Sequence, residues 1–516
     1  MAGGCCAHNN SQQNNSQQFV PWAMAHFQGA DLGDKRLNRR LVDLAQVFAE
    51  NPGMSLPKLL PDWSDLTAAY RLLSNPRVDA QAMLAPHVTL TRREACACPV
   101  VLCVQDSTYL DFTLRTGIKG LGITGDGKGR GLLQHSALAV LPDKRVVGVL
   151  DIAWHALKEA PKGETHRESQ SRWTQPFVWH EAAQRIGRWA QGETQEASSQ
   201  LIHVGDRHCD LFRFMHEALS FGHGFVVRAM HDRYVDKAED EASERLWEKL
   251  SRQDVLGRMT VTLGEQRNKG NQIKRAKREA VLSIRVSPIE VPPPCKDHRT
   301  KDASPLPLYA VYLVEEEPPP GVDAVEWMLI TSIPVAHLDE ARRLEEATSV
   351  IGYYTCRWVI EEWHRCLKEG CGIEKSQLDD AADIQRLSAI LSVVALRLLQ
   401  VRDFSEQADN TPEALSRRVP RLFITLVAAL ARVDPAKLTP REFHLTVAKR
   451  GGYTLPARTI HVLAGRFSGE ASTTSCKWFA VRNFTEKCST TGKVVYKGEG
   501  GNPVVWHRSR KRLSQV

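Results

Sequence analysis

Three carboxylates in this chain stand on elements from which metal-assisted phosphoryl chemistry can be built. Asp106 ends the β-branched run VVLCVQD, Asp206 ends the strand-like LIHVGD just before a helix, and Glu361 lies inside the helical segment YYTCRWVIEEWHRCLKEG. Hard divalent cations such as Mg²⁺ take oxygen ligands. Two of them about 3.5–4 Å apart can stabilise the attacking and leaving oxygens of an in-line displacement. Two aspartates on strands and one glutamate on a helix would supply those oxygens from rigid supports. Taken singly, each Asp is as well explained as a turn former or a helix N-cap; the set of three weakens that explanation.

The segment around Glu361 carries a second pattern. At about 100° per residue, Tyr354, Arg357, Glu361 and Lys368 fall within roughly 60° of arc on a single continuous helix. The opposite side holds Cys356, Val359, Ile360, Trp363, Cys366 and Leu367, an apolar face suited to burial. The polar stripe is therefore expected to face water or a ligand. By itself it requires no more than a solvated Arg357/Glu361 pair, which stabilises a helix by a few tenths of a kcal/mol.

The elements that must position these residues follow from changes of period along the chain. Residues 1–18 include HNNSQQNNSQQ, a polar low-complexity stretch with nothing to bury, expected to be disordered. Residues 19–93 read as a small helical unit. Its main helix, DKRLNRRLVDLAQVFAE, has Asp34 as N-cap, Leu37, Leu41, Leu44 and Val47 at helical spacing, and NPG as its stop. Lys35, Arg36, Arg39 and Arg40 load its first turns, as a nucleic-acid-binding helix or a solvated face would.

From 94 to 230 the period becomes that of strands, in a β-β-β-α-β order, with a helix across 171–191. Residues 231–335 read as an inserted, mostly β subdomain that includes the basic run QRNKGNQIKRAKR. Residues 336–405 return to helix, 406–470 form a helical C-terminal region, and 471–516 are a basic tail with no assignment.

Composition narrows the class. Of 516 residues, 68 are Lys or Arg and 60 Asp or Glu, a formal charge of +8, which permits an acidic partner without demanding one. No apolar run reaches the length of a membrane span, and the N-terminus lacks a signal-peptide pattern. A soluble, cytoplasmic protein is expected. The twelve cysteines include no CxxC pair, and the histidines show no HExxH spacing, so reduced thiols are expected in place of a zinc site.

The segments GADLGDKRLNRRLV, AAYRLLSNP, VLCVQDSTYL, LLQHSALAVL, VGDRHCD, GFVVRAMH, EWMLITSIPV and YYTCRWVIEEWHRCLKEGCGIEKSQLDD together resemble cut-and-paste DDE transposases of the insertion-sequence-four family. The resemblance runs from about residue 19 to 403, and Tyr354-x2-Arg357-x3-Glu361-x6-Lys368 reproduces the family's YREK spacing. It implies an α/β protein with an RNase H-like catalytic core, interrupted by the β insertion and flanked by helical N- and C-terminal domains, the first of them DNA-binding. Asp106, Asp206 and Glu361 would form the catalytic metal-binding triad, Glu361 being preferred to Glu362 because it fits the spacing and lies on the stripe.

The resemblance further implies Mg²⁺, with Mn²⁺ as substitute, at two ions per active site. Tyr354, Arg357 and Lys368 would contact phosphates of the transposon end, and Trp327, as an exposed aromatic, would stack on a flipped base. Arg228 and His231 lie where the family has a basic strand-end contact, while Asp210, the one competitor for the second aspartate, falls about one turn into the following helix and would at most be an outer neighbour of the triad. The implied partners are double-stranded DNA, both transposon ends and target, and a second copy of the chain in a synaptic homodimer, with 406–470 a candidate for dimerisation. The chain departs from the family by a few extra residues between Trp327 and Tyr354 and by the lack of a match beyond about 440. The alternatives are a metal-dependent nuclease that cuts without joining and a non-catalytic relative that occupies ends and inhibits.

Overall fold

The computed structural model describes residues 22–450, apart from 126, 160, 162, 164–172, 190–198, 237–243, 265, 268–272, 296, 298, 407–409 and 420, together with strands at 495–498 and 502–507. The polar stretch at 8–18, the ends of the helix expected across 171–191, part of the basic run at 266–278 and most of the tail lie outside the described residues.

The N-terminal unit forms as its capping residues dictate. Asp34 accepts a hydrogen bond from the Arg36 N–H at 2.8 Å and opens the helix Lys35–Glu50, which buries Leu41, Leu44, Ala45 and Phe48. Asp62 caps Trp63–Leu73 and Asp79 caps Ala80–Ala95 in the same way. The helix Lys35–Glu50 ends at an Asn-Pro-Gly turn, where Gly53 adopts φ +82°. That conformation suits glycine, and a Cβ at this position would lie 2.7 Å from the carbonyl oxygen of Gly370, far along the chain.

Five strands make the centre of the sheet: β1 (Val100–Asp111), β3 (Gly129–Val140), β4 (Val146–His155), β5 (Gln200–Gly205) and β6 (Gly224–Arg228), with the short β2 (Gly122–Thr124) beside β3. β1 is antiparallel to β3, β3 to β4, and β1 is parallel to β5 as β5 is to β6. The helix Phe177–Ile186 stands between β4 and β5 in the chain, completing the β-β-β-α-β order. Both faces of β1, β3 and β5 are covered, which is why they read as near-continuous apolar runs.

One expectation changes here. The strand containing Asp106 does not end at it: pairing with β3 continues to Asp111 opposite Gly131. The longer strands of the 231–335 segment join the central sheet, while Tyr234–Val235 with Glu244–Arg245 and Gln266–Arg267 with Ile273–Arg275 pair separately. Glu326–Thr331 pairs with β6, setting Leu329 opposite Arg228, and Leu306–Val314, Arg278–Val291 and Gly257–Leu263 follow in turn. The tail strands Val495–Gly498 and Asn502–His507 extend the same edge, giving one mixed twelve-stranded sheet.

The helix Ala381–Glu406 fastens the parts together. Arg386 donates to the carbonyls of Val78 at 2.6 Å and Leu73 at 2.8 Å, while Gln400 donates to the Val146 carbonyl at 3.0 Å. The N-terminal helices and the sheet are thereby held by one apolar rod through buried, satisfied polar groups. In the C-terminal region the helices Pro412–Arg418, Arg421–Ala431 and Pro440–Arg450 enclose a small core of Leu415, Ile424, Val427, Ala428 and Leu438.

Candidate active site

Parallel pairing of β1 with β5 sets Val104 beside Val204. Extending that register by two residues brings Asp106 and Asp206 to the same level on neighbouring strands. Side chains alternate faces along a strand, so both aspartates share the side of Leu102, Val104, Ile202 and Val204. That side packs against Val359, Ile360 and Trp363 of the helix Trp358–Arg365, which carries Glu361. Asp106, Glu361, His364, Arg365 and Lys368 line one cleft of about 310 Å³.

The electrostatics record the grouping. Burial, then the neighbouring Asp206, pushes the Asp106 carboxyl up to about 7, Arg357 and the Ser107 N–H oppose the shift, and Glu361 adds to it. Asp206 accepts from the His208 N–H at 2.8 Å and caps the short turn Arg207–Cys209. Glu361 Oε1 accepts from Arg357 Nη2 at 2.7 Å. Burial works against the Arg357 charge, but Tyr354, Glu361 and Asp106 more than offset it and hold the guanidinium protonated. The donor chemistry, carboxylates of Asp106 and Glu361 beside one compensating arginine with Asp206 close to Asp106, is of the kind a hard divalent cation takes. The side chains do not close a cage: among the described residues no three His, Cys, Asp or Glu groups stand together as a ready ligand set.

The structure differs from the single continuous stripe at several points. The helix Glu340–Thr355 stops before the motif is complete, and Cys356 and Arg357 form a tighter joint in which the Arg357 N–H reaches the Tyr354 carbonyl at 3.0 Å. Trp358–Arg365 then gives way to a π-turn, Cys366–Gly370, that bears Lys368. Such turns insert an extra residue into a helix and recur at functional sites. The apolar side is buried as expected, but so are Tyr354 and Arg357, at 2 and 7 % exposure. Lys368 ion-pairs with Glu374 Oε1 at 3.3 Å, and that oxygen also accepts from the Asp111 N–H at 2.9 Å, tying the π-turn to β1.

Trp327 is the clearest correction. It was expected as an exposed aromatic, but it is 4 % exposed and meets the Tyr354 ring edge-on at 5.5 Å, with the Arg228 guanidinium over its own ring at 5.9 Å. Arg228 is also buried and donates to the Glu326 carbonyl at 2.8 Å. Asp210 is not one turn into a helix. It follows the Arg207–Cys209 turn, buried, and its carboxylate accepts from the Met230 and His231 N–H groups at 2.8 and 3.1 Å and pairs with Arg233. His231 is exposed at the end of this clip.

On the N-terminal helix, Lys35 and Arg39 are exposed, Arg36 pairs with Asp34 at 2.8 Å, and Arg40 pairs with Asp65 at 3.0 Å. The sequence reading missed His364 and Arg365 as cleft residues. Their signal was present: His364 follows Glu361 by three positions and so shares its helix face.

Residues 20–78 match the protein family described as transposase DNA-binding. The matched stretch contains the basic helix and the helix Trp63–Leu73, and the similarity supports a transposase that binds DNA. Among the described residues no helix is long and apolar enough to cross a membrane.

Proposed function

We propose that the chain is a DDE transposase of the insertion-sequence-four type, cutting and joining DNA by divalent-metal-dependent phosphoryl transfer on an RNase H-like core. The observation that carries this reading is the closeness of both Asp206 and Glu361 to Asp106, which with Glu361 lines a cleft that also holds Arg365 and Lys368, in a chain whose N-terminal helices resemble transposase DNA-binding domains. The strand order β4-β3-β1-β5-β6, with only β5 and β6 parallel to β1, supports such a core.

In this reading Asp106, Asp206 and Glu361 would hold Mg²⁺ or Mn²⁺, two ions per site, which when bound would stabilise negative charge on the attacking and leaving oxygens. Arg357 keeps the carboxylates from repelling one another when the site is empty. Lys368, on its π-turn, offers a point charge to a phosphate, for which Glu374 holds it in waiting. Tyr354 fixes the Arg357 joint from within the core. Lys35, Arg36, Arg39 and Arg40 bind the transposon end, and two chains acting as a homodimer pair the two ends. Nicking to free a 3′-OH, hairpin formation and opening, and joining to target DNA all use the same centre.

The test has two steps: a search of the DNA flanking the coding sequence for inverted repeats, then cleavage of a labelled duplex that carries one of them. Asp106→Asn, Asp206→Asn and Glu361→Gln should each abolish cutting while leaving binding nearly intact, because phosphate contacts supply the affinity. Ca²⁺ in place of Mg²⁺ should permit binding without efficient chemistry. Cutting at near the wild-type rate by any one of the three variants would exclude this triad.

A further inference from the structure

Asp106 stands at a level where the two strands that carry the aspartates are no longer paired. The parallel ladder of β1 with β5 runs from Val100 beside Gln200 to Val104 beside Val204 and stops there, two residues short of Asp106 and Asp206. What continues across the strands is a chain of side chains on the opposite face of the sheet, to which Gln105 and Ser107, the neighbours of Asp106, both point. His135 on β3 lies directly across from Ser107. Its Nδ1 meets the Ser107 hydroxyl at 2.8 Å and its Nε2 meets the Gln105 side-chain oxygen at 3.0 Å, so one ring holds the residues on both sides of Asp106. The Gln105 amide nitrogen in turn reaches His203 Nδ1 on β5 at 2.7 Å, and His203 Nε2 reaches His223 Nδ1 at 2.9 Å.

The Gln105 amide sets the direction of these bonds. Its oxygen accepts, so His135 carries its proton on Nε2 and accepts from the Ser107 hydroxyl at Nδ1; its N–H donates, so His203 carries its proton on Nε2 and donates to His223. Every one of these atoms is satisfied with neutral rings, and a satisfied buried network is rigid. His135, Gln105 and His203 are almost completely buried, with Trp179 and Phe214 of the two covering helices edge-on to the two rings. Ser107 passes the restraint to the carboxylate itself, because its N–H donates to Asp106 Oδ1 at 2.8 Å.

We propose that His135 is a positioning residue of the active site: it clamps the main chain on both sides of Asp106 and ties it, through Gln105 and His203, to the strand of Asp206, so that the two carboxylates are spaced for divalent cations before DNA arrives. The inference rests on the reading of the cleft as a metal-dependent cleavage site and adds the support that lies behind it. His135 touches neither metal nor DNA. Groups that orient metal-binding side chains in this way are worth about 10–100-fold in metal affinity or activity.

The experiment compares wild type, His135→Phe, His135→Gln, Ser107→Ala, His87→Phe and Asp106→Asn. Mn²⁺ binding to the DNA-free protein is followed by titration calorimetry, melting temperature is measured without metal, and cleavage of the labelled inverted-repeat duplex and its binding in Ca²⁺ are measured alongside. His135→Phe, which keeps a ring against Trp179, should bind Mn²⁺ and cut DNA roughly 10–100-fold less well while binding the duplex as wild type does. His135→Gln, whose amide can still donate to Gln105, should recover part of the Mn²⁺ affinity. Ser107→Ala removes one arm of the clamp from a partly exposed position, and should weaken Mn²⁺ binding with little change in melting temperature. His87, equally buried and bonded to the Val149 N–H at 3.1 Å, lies outside the chain; His87→Phe should lower the melting temperature and leave Mn²⁺ affinity alone. Wild-type Mn²⁺ affinity in His135→Phe, or an equal loss in His87→Phe, would overturn the proposal, and if His135→Phe does not fold, wild-type affinity in Ser107→Ala does so. Should wild type bind no Mn²⁺, or Asp106→Asn bind it and cut as wild type does, the reading of the cleft fails instead, and the two failures are distinguishable.

Discussion

The basic helix Lys35–Glu50 and the segment 354–368 both carry cationic residues at helical spacing, yet the fold treats them in opposite ways. On the first, Lys35 and Arg39 stand in water and Arg36 pairs with its own cap. On the second, Arg357 is buried against Glu361 and shapes the titration of Asp106. An exposed cation can be exchanged with little effect on the fold, since surface ion pairs contribute about 0–1 kcal/mol. A buried one is part of a framework. The contrast teaches that the proposed DNA-binding and catalytic regions have different tolerances: one can be altered for function alone, the other only with stability.

The strongest challenge to that contrast comes from Trp327. As a core ring against Tyr354, its replacement by Ala should destabilise the protein by about 3–5 kcal/mol. A denaturation curve that leaves the midpoint unmoved would show that the ring is readily uncovered, as base stacking would require, and would return Trp327 to the exposed side of the comparison. Arg357→Gln is expected next, at roughly 2–4 kcal/mol, because it strands buried carboxylates without their compensating charge. A neutral outcome would mean that Glu361 relaxes into water.

The double variant Lys35→Ala/Arg39→Ala should leave thermal stability within about 0.5 kcal/mol of wild type, yet reduce the salt slope of end binding by roughly 0.9 for each lost phosphate contact. Binding titrations at several salt concentrations decide this, and an unchanged slope would make the helix a solvated face. Asp106→Asn offers the finest test. The Asp106 carboxyl is held at about 7 in the fold, against about 4 in an unfolded chain, so stability falls as pH rises from the lower value through the higher. Metal-free Asp106→Asn should match wild type near pH 4 and gain about 1–3 kcal/mol by pH 8. Equal stability at both pH values would mean that the carboxyl ionises freely.

Much of this could be read from residue order because it depended on local rules. Asp34, Asp62 and Asp79 cap helices by the geometry of their own side chains, and Val359, Ile360 and Trp363 are buried on one face of Trp358–Arg365, as helical spacing assigns them. What escaped was whatever lay across a gap from such a face. Periodicity places Tyr354 at an angle around an axis but cannot say that Trp327 fills the space opposite it. The strand at Asp106 was cut short because Asp is a poor strand residue, whereas ten paired positions with β3, through Thr108, Tyr109 and Leu110, carry it on to Asp111. The π-turn escaped as well: nothing in the composition of Cys366–Gly370 announces an extra residue in the turn.

Gly53 and Gly370 meet with no side chain from either residue between them. Most contacts between separate parts of a protein are cushioned, since a methyl or a methylene chain can rotate and absorb a small displacement before it reaches the next backbone. Here one main chain abuts another, two residues from Lys368. A shift of the turn at 51–54 passes to the π-turn with little to absorb it, so the seating of the N-terminal helices and the placement of Lys368 share a single mechanical tolerance.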